Sequence, residues 1–565
     1  MMNKYWQNFG QLNESEAFTQ AGKDEFQEPL VPFEDLEETG LLDGKTPRRD
    51  FLKYLGFSTA AAALAASCEM PVRKAVPYLN RPDNVIPGVP NYYASTYVNG
   101  GDAISVVVKQ RDGRPIKIEG NELCPINRGG TNAQAQASVL DLYDTTRLRH
   151  PLQRAGNEYK EVTGFDAMDN MVANDVASLG GRPLVLLTST INSPSTQEVI
   201  RLFLAKYPGS RHVQYDAVSH SGMLLANEAS HGKRTLPSYN LDKAKLIVSL
   251  GADFLGTWLS PTEFNRLYAV GRKVTGEKPE LSRHVQFESM MSLTGSNADD
   301  RYIHAPSQTG AIALALLQKM GGAAAGPAIA DAALNKGIEK TAALLAASKG
   351  SAVVLCGSND VNIQMVVNAL NEAIGANGTI IDFNTTNNTR KGIDADIVQL
   401  TNDMASGAIG GLLVYDCNPV YSYADSAKFA AALSKLPLSV SFNSTMDETT
   451  ELCKYLIPSH HWLESWGDAE PKSGNISLIQ PVINPLFKTR PFQSSLLKWA
   501  GVNTGTGMTP VTVSAVNKPD SSKASDTTGV QMATMPAQHY TDPYENFYTK
   551  YWSGKLGSTE NWEKA

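Results

Sequence analysis

Five cysteines, two adjacent histidines and two adjacent carboxylates are the residues whose types could support redox, metal or acid–base chemistry. Cys68, Cys124, Cys356, Cys417 and Cys453 are scattered, and none belongs to a Cys-x-x-Cys pair. Zinc and iron–sulfur sites draw their thiolates from such local spacings. An odd, sparse set is not a disulfide framework either, so apart from Cys68 these thiols read as small buried hydrophobes. His460-His461 with Glu464 offers metal-ligand types one helical turn apart. Pro458 and Trp462 instead suggest a packed loop, and no third ligand is near in sequence. Asp447-Glu448 has the composition of an acid–base pair and equally that of carboxylates at a helix start. Trp462 and Trp466 read as core or interface anchors.

The most specific local signal directs export. Arg48-Arg49-Asp50-Phe51-Leu52-Lys53 precedes an uncharged, alanine-rich run from Tyr54 to Ser67. That run falls short of the ~20 residues a membrane-spanning helix needs and has the length of a signal core. Paired arginines ahead of it read as a twin-arginine (Tat) signal. The run ends in Ala65-Ala66-Ser67-Cys68, which makes Cys68 a lipidation candidate and a membrane anchor that would need a second contact. An acidic, aromatic extension, residues 1–44, precedes the 45–68 signal.

The elements that would position any site follow from periodicity. A Pro-rich extended arm and a small β-rich unit occupy 69–160, with Asp112-Gly113 as a hairpin turn between apolar runs. Beyond 160, short apolar runs alternate with helical stretches: Leu184–Thr188, Leu246–Leu250, Ala352–Cys356, Thr379–Asp382 and Gly411–Asp416. Ser193 is placed to cap a helix from Pro194 to Tyr207. This alternation predicts an α/β fold with two doubly wound parallel-sheet domains, 161–335 and 336–500, after the small N-terminal β-rich domain. The Ala/Gly-rich residues 321–335 are the expected link between the sheets. Residues 501–565 read as a polar insert followed by the start of a further C-terminal region. The composition, 42% hydrophobic and 19% charged, is that of a globular protein, and a net charge of −7 argues against a nucleic-acid partner.

Taken in order, Tyr5-Trp6, Arg48–Lys53, Val76-Pro77-Tyr78, Ile86-Pro87-Gly88, Arg111-Asp112-Gly113-Arg114, Glu119-Gly120-Asn121, Gly251–Trp258, Glu288-Ser289, Thr294-Gly295, Asn418-Pro419, Asp447-Glu448-Thr449 and Leu463–Asp468 resemble the Tat-exported molybdopterin oxidoreductase-like proteins. The resemblance covers roughly residues 1–500. Within that group it is nearest the large molybdopterin-like, iron–sulfur subunit of bacterial alternative complex III, a quinol-oxidising respiratory complex. It implies a molybdopterin oxidoreductase-like multidomain fold and a ferredoxin-like second half beyond this chain's last residues.

The same resemblance says where a pterin-bound metal would sit. Catalytic relatives carry cluster cysteines where this chain has Tyr92–Tyr97 and Asn127–Asn132, and Cys124 nearby is alone. The metal-ligand position falls in Asp216–Gly222, where Ser219 and Ser221 are the candidates. Gly251, Asp253 and Asn418 stand where the dinucleotides would bind, and are equally explained as tight turns closing strand to helix. The expectation is a scaffold that is not catalytic by itself. It would carry no cofactor in this chain, with iron–sulfur clusters confined to the C-terminal half. Its partners would be membrane quinol-oxidising and multihaem cytochrome c subunits on the periplasmic face of the bacterial inner membrane. The alternatives are a catalytic molybdopterin oxidoreductase with a serine metal ligand and a stand-alone exported binding lipoprotein.

Overall fold

Consecutive apolar residues bounded by helices make strands that are buried on both faces. The computed structural model describes residues 88–99, 102–274, 276, 280–323, 326–504 and 542–556. Arg48, Arg49, Phe51, Leu52, Lys53, Cys68 and nearly all of the Pro-rich arm lie outside the described residues.

The strands are, in order, β1 (Asn91–Asn99), β2 (Asp102–Arg111), β3 (Arg114–Gly120), β4 (Leu152–Ala155), β5 (Glu158–Glu161), β6 (Leu184–Thr188), β7 (Arg211–Gln214), β8 (Leu236–Tyr239) and β9 (Leu246–Leu250). They continue with β10 (Arg283–Glu288), β11 (Asp300–Ile303), β12 (Ala352–Cys356), β13 (Ile381–Asn387), β14 (Gly411–Tyr415), β15 (Leu438–Ser441), β16 (Tyr455–Leu456), β17 (Gly467–Lys472) and β18 (Asn475–Ile479).

β1-β2-β3 form an antiparallel meander, as the hairpin signal requires. Asp112 (φ 50°) and Gly113 (φ 77°) both occupy the left-handed region that a tight two-residue hairpin turn needs. The meander docks on β18 and the segment after it: the Thr96 hydroxyl donates to the Leu478 carbonyl at 3.0 Å, and Gln110 Nε2 to that of Val482 at 2.6 Å.

Two parallel arrays carry the body of the fold. A seven-stranded sheet runs β5-β4-β16-β15-β14-β6-β7, parallel from β16 to β7. A four-stranded sheet, β11-β10-β9-β12, is parallel throughout. In the larger sheet Leu184, Leu186 and Leu413 face one core while Val185, Leu187, Leu412 and Val414 face the other. This is the period-two alternation of a strand covered on both sides. Ser193 caps the helix Pro194–Lys206 by accepting from the Thr196 N–H, with proline in the first turn.

Sheet membership departs from the sequence-order division at 335/336. After β7 the chain leaves the first sheet, builds β9 to β12 as a separate one, and then returns to pair β14 with β6. The expected link, 321–335, leads instead into the helix Ala332–Ala347, which joins β11 to β12 of one sheet. β13 is not part of a parallel array; it pairs antiparallel with β8 and β17 in a third sheet, β18-β17-β13-β8. An apolar run reports that a strand is buried but not which neighbour it takes. The helix Pro543–Leu556 packs into the core of the seven-stranded sheet through Tyr544, Tyr548 and Trp552.

Candidate functional site

In an open parallel sheet, ligands bind outside the carboxyl ends of the strands where the winding direction reverses. The seven-stranded sheet has that point between β6 and β14: β6 leads outward to β7, while β14 leads the other way to β15 and β16. A cavity of ≈ 460 Å³ opens there. Its wall comes from the segments that leave the strands: Ser189–Ser193 after β6, Asp416–Asn418 after β14, Asn443–Thr445 with Asp447 after β15, and Ser459–Trp462 after β16. Tyr415, Phe442 and Phe492 add aromatic faces, with Tyr415 and Phe492 stacked at 3.8 Å between centroids.

Ser189 Oγ bridges the reversal by donating to Asp416 Oδ2 at 2.6 Å. Asp416 holds φ at 53°, a conformation that costs a non-glycine residue energy and clusters at ligand sites. Three carboxylates, Asp416, Asp447 and Asp468, line the cavity, and among the described residues no lysine or arginine lines it. Burial pushes the Asp468 carboxyl up against the hydrogen bonds it accepts from Ser193, Ser195 and Trp552.

Asn418 lines this cavity; Ser219, Ser221, Gly251 and Asp253 do not. The Asn418 side chain is engaged at both ends. Its Nδ2 donates to Glu448 at 2.6 Å, and its Oδ1 accepts from the Thr449 N–H and hydroxyl at 3.2 and 2.7 Å. Asp447 accepts from the Thr450 N–H and Asn443 Nδ2, both at 2.8 Å. The Asp447-Glu448 pair therefore braces the turn that follows β15.

The smaller parallel sheet reverses between β9 and β12, where Gly251 sits with φ 69°. This junction is closed by backbone. Gly357 N–H donates to the Leu250 carbonyl at 3.0 Å, and a Cβ at Gly357 would collide with the Gly251 carbonyl. Gly357→Ala should cost about 1–3 kcal/mol of stability by forcing these strand ends apart, read as a lower denaturant midpoint; an unchanged midpoint would refute the close approach.

Six N–H groups of the turn that follows are engaged. The N–H groups of Gly251, Ala252, Leu255, Gly256, Thr257 and Trp258 all donate within the chain. Asp253 Oδ1 accepts from the Thr294 N–H and hydroxyl at 3.1 and 2.7 Å.

Ser219 and Ser221 start the helix Ser221–His231. Ser219 Oγ accepts from the Ser221 N–H at 3.0 Å, and Ser221 Oγ from the Asp394 N–H at 3.2 Å. Asp216 locks the preceding loop by accepting from Thr190, Lys391 and Gly392. His220 between the serines is held neutral, its imidazole pulled down to about 4 by burial and then by Arg390.

His460 and His461 are likewise pulled down to about 4 by burial. They bond to Thr489 and to the Leu463 N–H, while Glu464 pairs with Arg147. Among the described residues no three His, Cys, Asp or Glu side chains converge on one metal position. Trp462 packs edge-on against Tyr97 at 5.7 Å and Trp466 stacks on Tyr548 at 6.0 Å, as packing anchors do.

A pterin dinucleotide brings phosphates that need free N–H groups or cations. Neither strand-end reversal offers these freely: six N–H groups of the turn at Gly251 are engaged within the chain, and three carboxylates line the cavity at Asn418. Asn192, Ser459, Asp416 and Asp468 were not singled out by sequence reasoning. The one signal that could have found the first three is that each follows a short apolar run at the carboxyl end of a parallel strand.

No family model matches the chain. Over 505 residues it is 26% identical to the menaquinone reductase, molybdopterin-binding-like subunit of Nitratidesulfovibrio vulgaris, spanning 80% of this chain and 72% of that subunit. Among solved structures it is similar to acetylene hydratase from Pelobacter acetylenicus, with TM-score 0.57 and 13% identity over 72% of this chain and 69% of the hydratase. With helix-covered parallel sheets reversing at two strand-end junctions, and with these likenesses in structure and sequence, the chain has the molybdopterin oxidoreductase-like fold.

Proposed function

We propose that this protein is a cofactor-free, molybdopterin-oxidoreductase-like scaffold subunit of a respiratory, quinone-linked electron-transfer complex. The observation that carries the reading is chemical: the fold persists, while the side chains where a pterin and its metal would be held, those of Ser219, Ser221, Asp253 and Asn418, are engaged in holding the chain together. The name of the relative, a molybdopterin-binding-like subunit of a menaquinone reductase, supports a quinone-linked assembly. The paired arginines Arg48-Arg49 and the alanine-rich run support Tat export to the periplasmic face of the inner membrane, with Cys68 as the candidate anchor. Among the described residues no helix is long and apolar enough to cross a membrane, so membrane attachment in this reading comes from partners and from Cys68. In its finer form the proposal names the quinol-oxidising alternative complex III, with multihaem cytochrome c and membrane subunits as neighbours and iron–sulfur clusters in a separate C-terminal part.

Affinity purification of the tagged chain from detergent-solubilised membranes tests this. The proposal expects haem-bearing and membrane-embedded subunits to co-purify with it. Recovery as a monomer free of membrane partners would contradict it and favour an exported binding lipoprotein.

A further inference from the structure

We propose that a second cavity, toward the amino ends of the parallel strands of the seven-stranded sheet, takes the alkyl tail of a medium-chain amphiphile. The cavity measures ≈ 220 Å³ and lies between the sheet and the helices Phe165–Ser178 and Pro194–Lys206. Leu184 and Leu438, the first residues of β6 and β15, line its floor with Leu413 and Val440. Val172 and Phe203 come from the two helices. None of these six side chains is more than 3% exposed. Protein cores hold few voids larger than a water molecule, because unfilled space forfeits the contacts its lining would make. Cavities with apolar walls stay dry and take up apolar molecules.

The polar groups of the wall decide which part of a ligand enters. The Tyr207 hydroxyl donates to the Trp499 carbonyl at 2.9 Å, and Trp499 Nε1 donates to Asp169 Oδ1 at 2.9 Å. Arg490 donates to both Asp169 oxygens at 2.9 and 2.7 Å. Each of these groups has its partner, so a polar ligand atom among the six apolar side chains would lose its water and gain no bond. The mouth differs. Asn170, Ala173 and Lys498 are exposed there, and Lys498 is held by the carboxylates of Asp166 and Asp169. An apolar interior behind an exposed polar rim suits a tail that enters while its head stays in water. An apolar cavity of about 150 Å³ takes benzene, so this one suits an alkyl group of about eight carbons. The cavity beside Asn418 lies at the opposite strand ends, so the inference stands apart from the question of pterin binding.

The experiment is calorimetric titration of the purified full-length chain with straight-chain butanol, hexanol and octanol, and with an octanediol hydroxylated at both ends. The expected result is saturable octanol binding, with affinity rising about fourfold for each methylene from butanol to octanol. The diol, whose far hydroxyl would be buried unpaired, should bind about tenfold more weakly than octanol. Val172→Phe, which fills the cavity, should lower octanol affinity about tenfold. Circular dichroism checks that this variant is folded; if it is not, Ala173→Trp at the mouth is titrated in its place with the same expectation. Absence of octanol saturation, equal binding of the diol, or undiminished affinity in a folded variant would each overturn the proposal.

Discussion

Glu464→Ala is expected to lower the unfolding free energy by about 3–5 kcal/mol, because it strands a buried guanidinium. Arg147 and Glu464 are 3% and 0% exposed at their side chains and meet through two bonds of 3.2 and 2.7 Å. The carboxylate also accepts the N–H groups of His461 and Leu486. Arg147 Nη1 donates to the Leu142 carbonyl, and its guanidinium lies 5.1 Å from the Phe487 ring centroid. The pair thus ties the segment after the helix Ala133–Asp141 to the loop ahead of β17. Burial works to raise the Glu464 carboxyl, but Arg147 and the two N–H groups outweigh it and hold it below the usual range. A folded pKa below the unfolded one gives stability that is present above the unfolded value, near ~4.3, and is lost as pH falls through the folded value. The parent chain should therefore lose more stability than Glu464→Gln as pH is lowered from about 5 towards 3. Urea titrations of both across that window check this, and parallel pH profiles would contradict it.

Trp552→Ala is expected to cost about 3–5 kcal/mol, the range for removing a buried aromatic side chain. Tyr544, Tyr548 and Trp552 recur every fourth residue on one face of the helix Pro543–Leu556 and are 1%, 0% and 3% exposed. Trp552 Nε1 donates to Asp468 Oδ2 at 2.6 Å, the Tyr548 hydroxyl to the Gly467 carbonyl at 2.8 Å, and the Tyr544 and Ser195 hydroxyls bond at 2.8 Å. Truncating the indole opens a cavity and removes a donor from a buried carboxyl that burial already pushes up. Equilibrium unfolding in urea measures the loss; a change under about 1 kcal/mol, that of a surface site, would mean the helix does not dock as described.

That helix marks where sequence reasoning stopped short. The stretch that holds it reads as a polar insert and the start of another region, and no local pattern says that a helix returns to a core formed by residues 162–502. The strands β6, β9, β12 and β14 were legible because a parallel strand buried on both faces must be a continuous apolar run. The Ser193 cap and the Asp112-Gly113 turn were legible because single residues dictate them. Pairing was not, since β14 finds β6 across more than two hundred residues and any apolar run would satisfy the same pattern. Gly251, Asp253 and Asn418 were located as strand-end turns, but only the folded chain reveals that the Gly251 N–H and the Asp253 and Asn418 side chains already have partners. Asn192 and Ser459 carry no motif; their interest lies in lacking partners, a property of the assembled wall.

The central claim is that the fold is kept while pterin-metal chemistry is not. Elemental analysis for molybdenum and tungsten, expressed per copy of this chain in the complex purified from membranes, tests it most directly. The account predicts neither metal at stoichiometric level, with Ser219→Ala and Ser221→Ala leaving metal content unchanged. Stoichiometric molybdenum or tungsten that either substitution removes would contradict it.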